Sequence, residues 1–145
     1  MLRPLLVALA AVALATPAVA ADLEANKKIV VDFYEKGLNQ KDYEAAAKYF
    51  GPRYVQHNPG APDGPEGFKG LVTLLKEKFP TSHNDIKRVF ADGDYVILHV
   101  HNMRKPGTRG RAIIDVFKLD NGKIVEHWDV AQDIPEKMPH NNGMF

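Results

Sequence analysis

Residues Asp115 to Val130 read DVFKLDNGKIVEHWDV, two runs of alternating side chains on either side of Asp120-Asn121-Gly122. A period of two flanking a turn signal predicts a β-hairpin, and the turn decides which polar residues meet. If Asn121-Gly122 alone makes a primed two-residue turn, Asp120 pairs with Lys123, Asp115 stands opposite Trp128, and Asp129 points to the other face. If all three residues form the loop, with Gly122 left-handed, Leu119 pairs with Lys123, Asp115 opposes His127 and Ile113 opposes Asp129. One residue of slip therefore exchanges the two faces. The order Asp, Asn, Gly fits a type I turn with a bulge, so the three-residue loop is favoured. It places Asp115, His127 and Asp129 on one face, with Phe117 and Val125 as apolar neighbours.

Upstream, the same period of two predicts strands over Asp85–Phe90 and Tyr95–Asn102, joined at Asp92-Gly93, and a third strand over Arg111–Leu119 after the break at Pro106-Gly107. In the second of these, Tyr95, Ile97, His99 and His101 share one face, and Val96, Leu98, Val100 and Asn102 the other. Before residue 80 the period is helical. Leu23, Ile29, Val30, Phe33 and Leu38 predict helix one over Asp22–Leu38. Asn39 is a candidate cap for helix two, Lys41–Phe50, which Gly51-Pro52 would stop. Arg53–His57 reads as a short extended piece and the following Pro- and Gly-rich stretch as a loop. Asp63 and Pro65 then open helix three, whose apolar stripe of Phe68, Leu71, Leu74, Leu75 and Phe79 ends at Pro80. Helices first and an antiparallel meander afterwards spell an α+β fold with three helices over one face of a curved sheet.

Composition excludes several function classes. The chain has 145 residues, 45% hydrophobic and 26% charged, which suits one domain with a real core. With 19 Lys+Arg against 18 Asp+Glu and no basic run, it carries no footprint for nucleic acid. It has no cysteine, so disulfides, thiolate nucleophiles and thiolate metal sites are out. Met1–Ala20 shows a basic start at Arg3, an apolar run from Leu5 to Ala15, a breaker at Pro17 and Ala18-Val19-Ala20, the order of a secretory signal. The run is shorter than the roughly 20 residues that span a bilayer. Cleavage after Ala20 is expected, leaving residues 21–145 as an exported domain, periplasmic or secreted, with no stable membrane anchor.

Chemistry must then come from His, Asp, Glu, Tyr or bound cofactors. Asp115, His127 and Asp129 on one face make a workable acid–base set if that face lines an apolar hollow, where desolvation raises a carboxyl's pKa; otherwise they belong to a solvated outer face. His99 and His101, two apart on a strand, could chelate a metal with His57, but no flanking carboxylate stands at ligand spacing. Lining a polar pocket or a subunit contact is the alternative, and no metal is expected. His57, just before Asn58-Pro59, is either a functional loop residue or a loop cap. Trp128, Phe117, Tyr54 and Tyr95 could line a cavity or simply fill a core, and Trp128 could equally sit at a dimer interface.

The runs Tyr54–Pro59, Asp63–Phe68, Asp115–Val130 and the terminal Asn141-Asn142-Gly143-Met144-Phe145 together resemble the SnoaL-like branch of the nuclear transport factor 2-like superfamily, and within it a bacterial group described as aldol-condensation-catalysing enzymes. The resemblance spans almost all of residues 21–145, and Gly-Lys-Ile-Val-Glu-His-Trp-Asp is its most specific part. It implies a cone-shaped α+β barrel in which a strongly bent antiparallel sheet wraps a pocket closed by helices, usually in a homodimer. It also implies that Asp129 matches the last-strand aspartate serving as general acid/base in the polyketide cyclases, which use no metal or organic cofactor. Those cyclases carry a histidine where this chain has Asp115, a departure from the pattern. The expected enzyme moves a proton next to a carbonyl: Asp129 takes or returns it, His127 or His57 polarises the oxygen, Asp115 orients, and Trp128, Tyr54, Phe117, His99 and His101 contact a small hydrophobic or carbonyl-bearing substrate. The alternative is a binding module that holds such a molecule without turnover.

Overall fold

Helix α1 (Ala18–Tyr34) forms because Val30, Phe33 and Tyr34 recur at helical spacing and bury one face completely. The computed structural model describes residues 18–145, with side chains from residue 23 onward, so the export leader expected over residues 1–20 lies almost wholly outside the described residues. At Glu35–Asn39 the helix widens into a π turn, Gln40 N–H reaching the Glu35 carbonyl at 2.9 Å. Gly37 sits there against the Phe68 ring, whose Cζ would lie 2.6 Å from any added Cβ. The close approach requires glycine.

Helix two is shorter than its apolar pattern predicts. Asp42, not Asn39, caps α2 (Tyr43–Ala47), its carboxylate accepting from Ala45 N–H at 2.9 Å. Asn39 is engaged elsewhere, bridging to Asn84. Phe50, Gly51 and Pro52, expected to end the helix, instead begin strand β1 (Phe50–Gln56). Proline is tolerated because β1 is an edge strand and its pairing with the last strand slips between Phe50 and Val55. Asp63 stands at the start of α3 (Gly64–Lys78), but its carboxylate accepts from Gln56 N–H at 2.8 Å and ties the helix to the end of β1. That bond and one from Gly64 N–H hold its carboxyl below the usual range.

Strands β2 (His83–Asp92), β3 (Tyr95–Met103), β4 (Arg111–Asp120) and β5 (Lys123–Asp133) form the antiparallel meander, and β1 joins it parallel to β5, giving the order β1-β5-β4-β3-β2. This is an α+β nuclear transport factor 2-like fold, its three helices on one face of a curved, mostly antiparallel sheet. On the helix side the sheet presents Val96, Leu98, Val100, Phe117, Leu119 and Ile124, all buried, and Phe33 joins them to Phe50, Phe68 and Phe117 with ring centroids 4.9 to 5.8 Å apart.

The decisive hairpin follows neither sequence register. Asn121 and Gly122 both have positive φ, 49° and 71°, and Asp120 pairs with Lys123, so the turn has two residues rather than three. A bulge then intervenes: Leu119 faces Ile124, but Lys118 faces Glu126, leaving Val125 as an extra residue beside Gly51 rather than a neighbour of the acidic face. Below it Phe117 stands opposite His127 and Asp115 opposite Asp129. The extra residue undoes the exchange of faces that the two-residue turn would impose. Asp115, His127 and Asp129 therefore do share the inner face.

Residues beyond Asp133 form no regular element. Ile134 N–H is held by the Gly110 carbonyl at 3.0 Å, and Phe145 returns to lie against His99 and His101, centroids 5.1 and 4.8 Å away. No helix among the described residues is long and apolar enough to cross a membrane.

Candidate active site

Between the inner face of the sheet and helix α3 lies a cavity of about 360 Å³, a size that suits a small organic molecule. Leu71, Leu74, Leu75 and Phe68 of α3 form one wall; Ile113, Asp115 and Phe117 of β4, His127 and Asp129 of β5, and Tyr54 and Gln56 of β1 form the other. Parallel pairing of Gln56 with His127 carries the chain on so that Asn58 reaches Asp129.

Asp115 is the most deeply placed acid, 4% exposed. Tyr34 Oη donates to its Oδ2 at 3.1 Å, and His127 Nε2 lies 3.0 Å from its Oδ1. Burial raises its pKa above the ordinary carboxylate value, and the hydrogen bond from His127 only partly offsets this. The tautomer of His127 follows from its other neighbour. Asn58 N–H donates to Gln56 Oε1 at 2.9 Å, which fixes that atom as the oxygen; His127 Nδ1, 3.0 Å from the same oxygen, must carry a proton to bond it. The contact between Nε2 and Asp115 is then made by one further proton, on either partner. Wherever that proton sits, the Asp115–His127 pair is neutral as a whole.

Asp129 is half-buried and faces the cavity. Asn58 Nδ2 lies 2.6 and 2.8 Å from its two oxygens, and Gly60 N–H bonds Asn58 Oδ1 at 2.7 Å, fixing the amide's orientation. A carboxylate offers about four acceptor positions, so capacity for a substrate proton remains. Tyr54, 3% exposed, accepts from Gln56 Nε2 at 3.1 Å while its own proton has no acceptor among the described residues. Burial, then the Asp115 and Asp129 charges, push its phenol far above the ordinary range, so it stays a donor. Asp115, His127 and Asp129 also offer three metal-ligand atoms within 4.8 Å of one another. His127 could ligate a cation only through Nε2, the atom now turned to Asp115.

Four expected residues are placed elsewhere. Odd-numbered positions of β3 and even-numbered positions of lower β5 face outward, so His99, His101 and Trp128 stand on the convex side of the sheet. His57 stacks flat on Trp128, centroids 4.5 Å apart, and bonds Glu126 at 3.2 Å. None of the four lines the cavity. Asp129, His127, Asp115, Tyr54 and Phe117 do. The sequence reading missed Tyr34, Gln56 and Asn58, whose roles depend on partners 71 or more residues away. Only the period-two alternation from Tyr54 through Gln56 to Asn58 could have pointed to the last two.

A family model for the SnoaL-like domain matches residues 30–127. The chain belongs to the SnoaL-like family. The SnoaL-like match stops just short of Asp129, so that residue's place in the cavity rests on the bulged hairpin. Among solved structures, a candidate polyketide cyclase from Acidithiobacillus ferrooxidans is 27% identical, with a TM-score of 0.62 over 74% of this chain and 87% of its own. An LEH-like epoxide hydrolase of M. tuberculosis (19% identity, TM-score 0.64, 77% and 85% covered) shares the fold. So does a nuclear-transport-factor-2-like protein of unknown function from Burkholderia xenovorans (15%, 0.65, 80% and 88%). Among curated proteins none matches the chain.

Proposed function

We propose that this SnoaL-like protein is a cofactor-independent enzyme that moves a proton on the carbon next to a carbonyl, the chemistry shared by aldol cyclisation, isomerisation and hydration. The observation that carries it is the convergence of Asp129, the proton-sharing Asp115–His127 pair and the Tyr54 hydroxyl on one largely apolar cavity. Asp129 takes the α-proton. Tyr54, the donor without an acceptor, bonds the oxygen on which the enolate charge develops, a role the sequence reading gave to His127 or His57. Tyr34, Asp115 and His127 position the acid–base end and keep it from carrying more than one net negative charge. The resemblance to polyketide cyclases points to the same chemistry.

The test reads proton transfer without a known substrate: α-hydrogen exchange of cyclohexanone and 1-tetralone in deuterated water, followed by proton NMR. Exchange above buffer, reduced about 10²- to 10⁴-fold in Asp129→Asn with unchanged thermal stability, is the expected result. Equal exchange in both proteins removes Asp129 from the mechanism. Binding of either ketone without exchange leaves a non-catalytic binding module.

The expected export leader supports placing the protein in the periplasm or the medium; the mature N-terminus, read by Edman sequencing, should then be Ala21. We infer a homodimer joined through the convex face, on which Phe90, Tyr95, Ile114 and Val130 are 53%, 41%, 41% and 74% exposed.

A further inference from the structure

The end of the cavity away from Asp129 is lined by two arginines that acid–base chemistry does not use. Arg111 lies on the inner face of β4, four residues before Asp115 and so about 13 Å along the strand from it. Its Nε and Nη2 donate to Asn102 Oδ1 at 3.3 and 3.2 Å. Asn102, 5% exposed, is fixed in turn by donating to Asn84 Oδ1 at 2.7 Å, and Asn84 bonds Asn39. The chain of amides orients the guanidinium but brings it no negative charge. Arg104 lines the same cavity, its guanidinium 5.4 Å from the Phe79 ring centroid, and its Nε is buried without a hydrogen-bond partner.

Neither arginine makes an ion pair among the described residues. Both arginines also border the adjoining surface groove with Asp133, which stands opposite Arg111 in the ladder, and Glu136, but neither acid lines the cavity and neither comes within ion-pair distance of a guanidinium. Burial, and then the charge of Arg111, hold Arg104 below its usual pKa. Two like charges in one cavity wall with only neutral acceptors are costly unless an anion completes them, and a guanidinium fork is shaped for a carboxylate. The cavity is also polarised: the acids at its other end repel an anion, so an anionic ligand can enter in one orientation only.

We propose that Arg104 and Arg111 bind the carboxylate of the substrate, so that the substrate class is an apolar oxo acid whose carbonyl lies several carbons from its carboxyl group. Ile113, between Arg111 and Asp115, and Leu71, Leu74 and Leu75 opposite line the apolar middle. The identification of the carbonyl end rests on the acid–base reading above; the carboxylate end does not.

The probes are 8-oxononanoate and its neutral amide, 8-oxononanamide, titrated into the protein by isothermal calorimetry. The carboxylate should bind at least about tenfold more tightly than the amide. Arg104→Gln and Arg111→Gln should each reduce the preference, and the double variant should abolish it. Asp129→Asn should keep it, so a failure of the acid–base reading leaves this result standing. Arg111→Lys, which retains the charge but not the fork, should retain part of the preference; the wild-type comparison itself requires no variant. Equal affinity for the two probes, a preference that survives in the double variant, or no carboxylate binding at about 10 mM would overturn the proposal.

Discussion

Strand β5 runs between two environments that share almost no chemistry. Its inner side chains, Ile124, His127 and Asp129, meet a buried core and a cavity in which Asp115, Gln56 and Asn58 hold the two polar ones. Its outer ones, Glu126, Trp128 and Val130, meet solvent, a stacked histidine and an apolar surface. The same residue types behave differently on the two sides. His127 is 8% exposed, with both ring nitrogens committed, whereas His57 is exposed and stacked, its bond to Glu126 pairing it with an acid that Lys118 also holds. Facing direction, more than residue identity, assigns chemistry along this strand. Val125 sets that direction.

Deleting Val125 and Glu126 together is the largest test of the comparison. Removing Val125 alone would leave Lys118 opposite Glu126 and Phe117 opposite His127, but removing Glu126 as well shifts the ladder by one, sends His127 and Asp129 outward and brings Trp128 opposite Phe117. Burying an indole there and uncovering the polar set should cost most of the roughly 5–15 kcal/mol that holds a domain of this size together. A melting temperature close to that of the wild type would show that the number of residues between the turn and His127 does not fix the faces.

Asp115 sharpens the comparison at its buried end. Asp115→Ala orphans both the Tyr34 hydroxyl and His127 Nε2, and should cost about 3 kcal/mol in urea unfolding at neutral pH. Asp115→Asn can donate to Nε2 through its amide and accept from Tyr34 through its oxygen, imitating the protonated acid, and should cost under about 1 kcal/mol. The pH dependence has a definite sign. Burial raises the folded carboxyl above the unfolded value, so between the two the folded state binds more protons and stability falls as pH rises through that window, levelling off above it. Asp115→Asn should remove that decline. A wild-type stability that climbs across the same window would contradict the placement of Asp115.

The outline of the fold was legible because its signals are local: the stripes of α1 and α3, the strand alternations, and the turn at Asn121-Gly122. Asp115, His127 and Asp129 were grouped correctly for an incorrect reason, since the expected three-residue loop is a two-residue turn followed by a bulge, and the two give the same parity. Nothing in the alternation near Val125 marks the extra residue, which depends on where β1 lies. His99 and His101 attracted attention because histidine suggests chemistry, yet their strand's alternation already placed them opposite Val96, Leu98 and Val100. The apolar half of that pattern was the better guide to the inside, and it points to Asn102, which belongs to the cavity wall. Tyr34 takes its meaning from Asp115, 81 residues away, and could not be singled out from spacing.

The smallest expected effect tests the convex face by itself. Ile114 and Val130 stand opposite one another on β4 and β5, pointing away from the cavity, with Phe90 and Tyr95 on the same side. If a second copy covers this face, a glutamate at either position places an unpaired charge in an apolar contact, and light scattering should show the dimer of the wild type replaced by monomer in Val130→Glu and Ile114→Glu. Since no cavity residue changes, affinity for 8-oxononanoate should remain within about threefold of wild type, little more than half a kcal/mol. A dimer that survives both substitutions would move the subunit contact off this face. Monomers that also lose the ligand would show that the two faces are coupled through the sheet, with the outer one bracing the strands that carry Asp115 and Asp129.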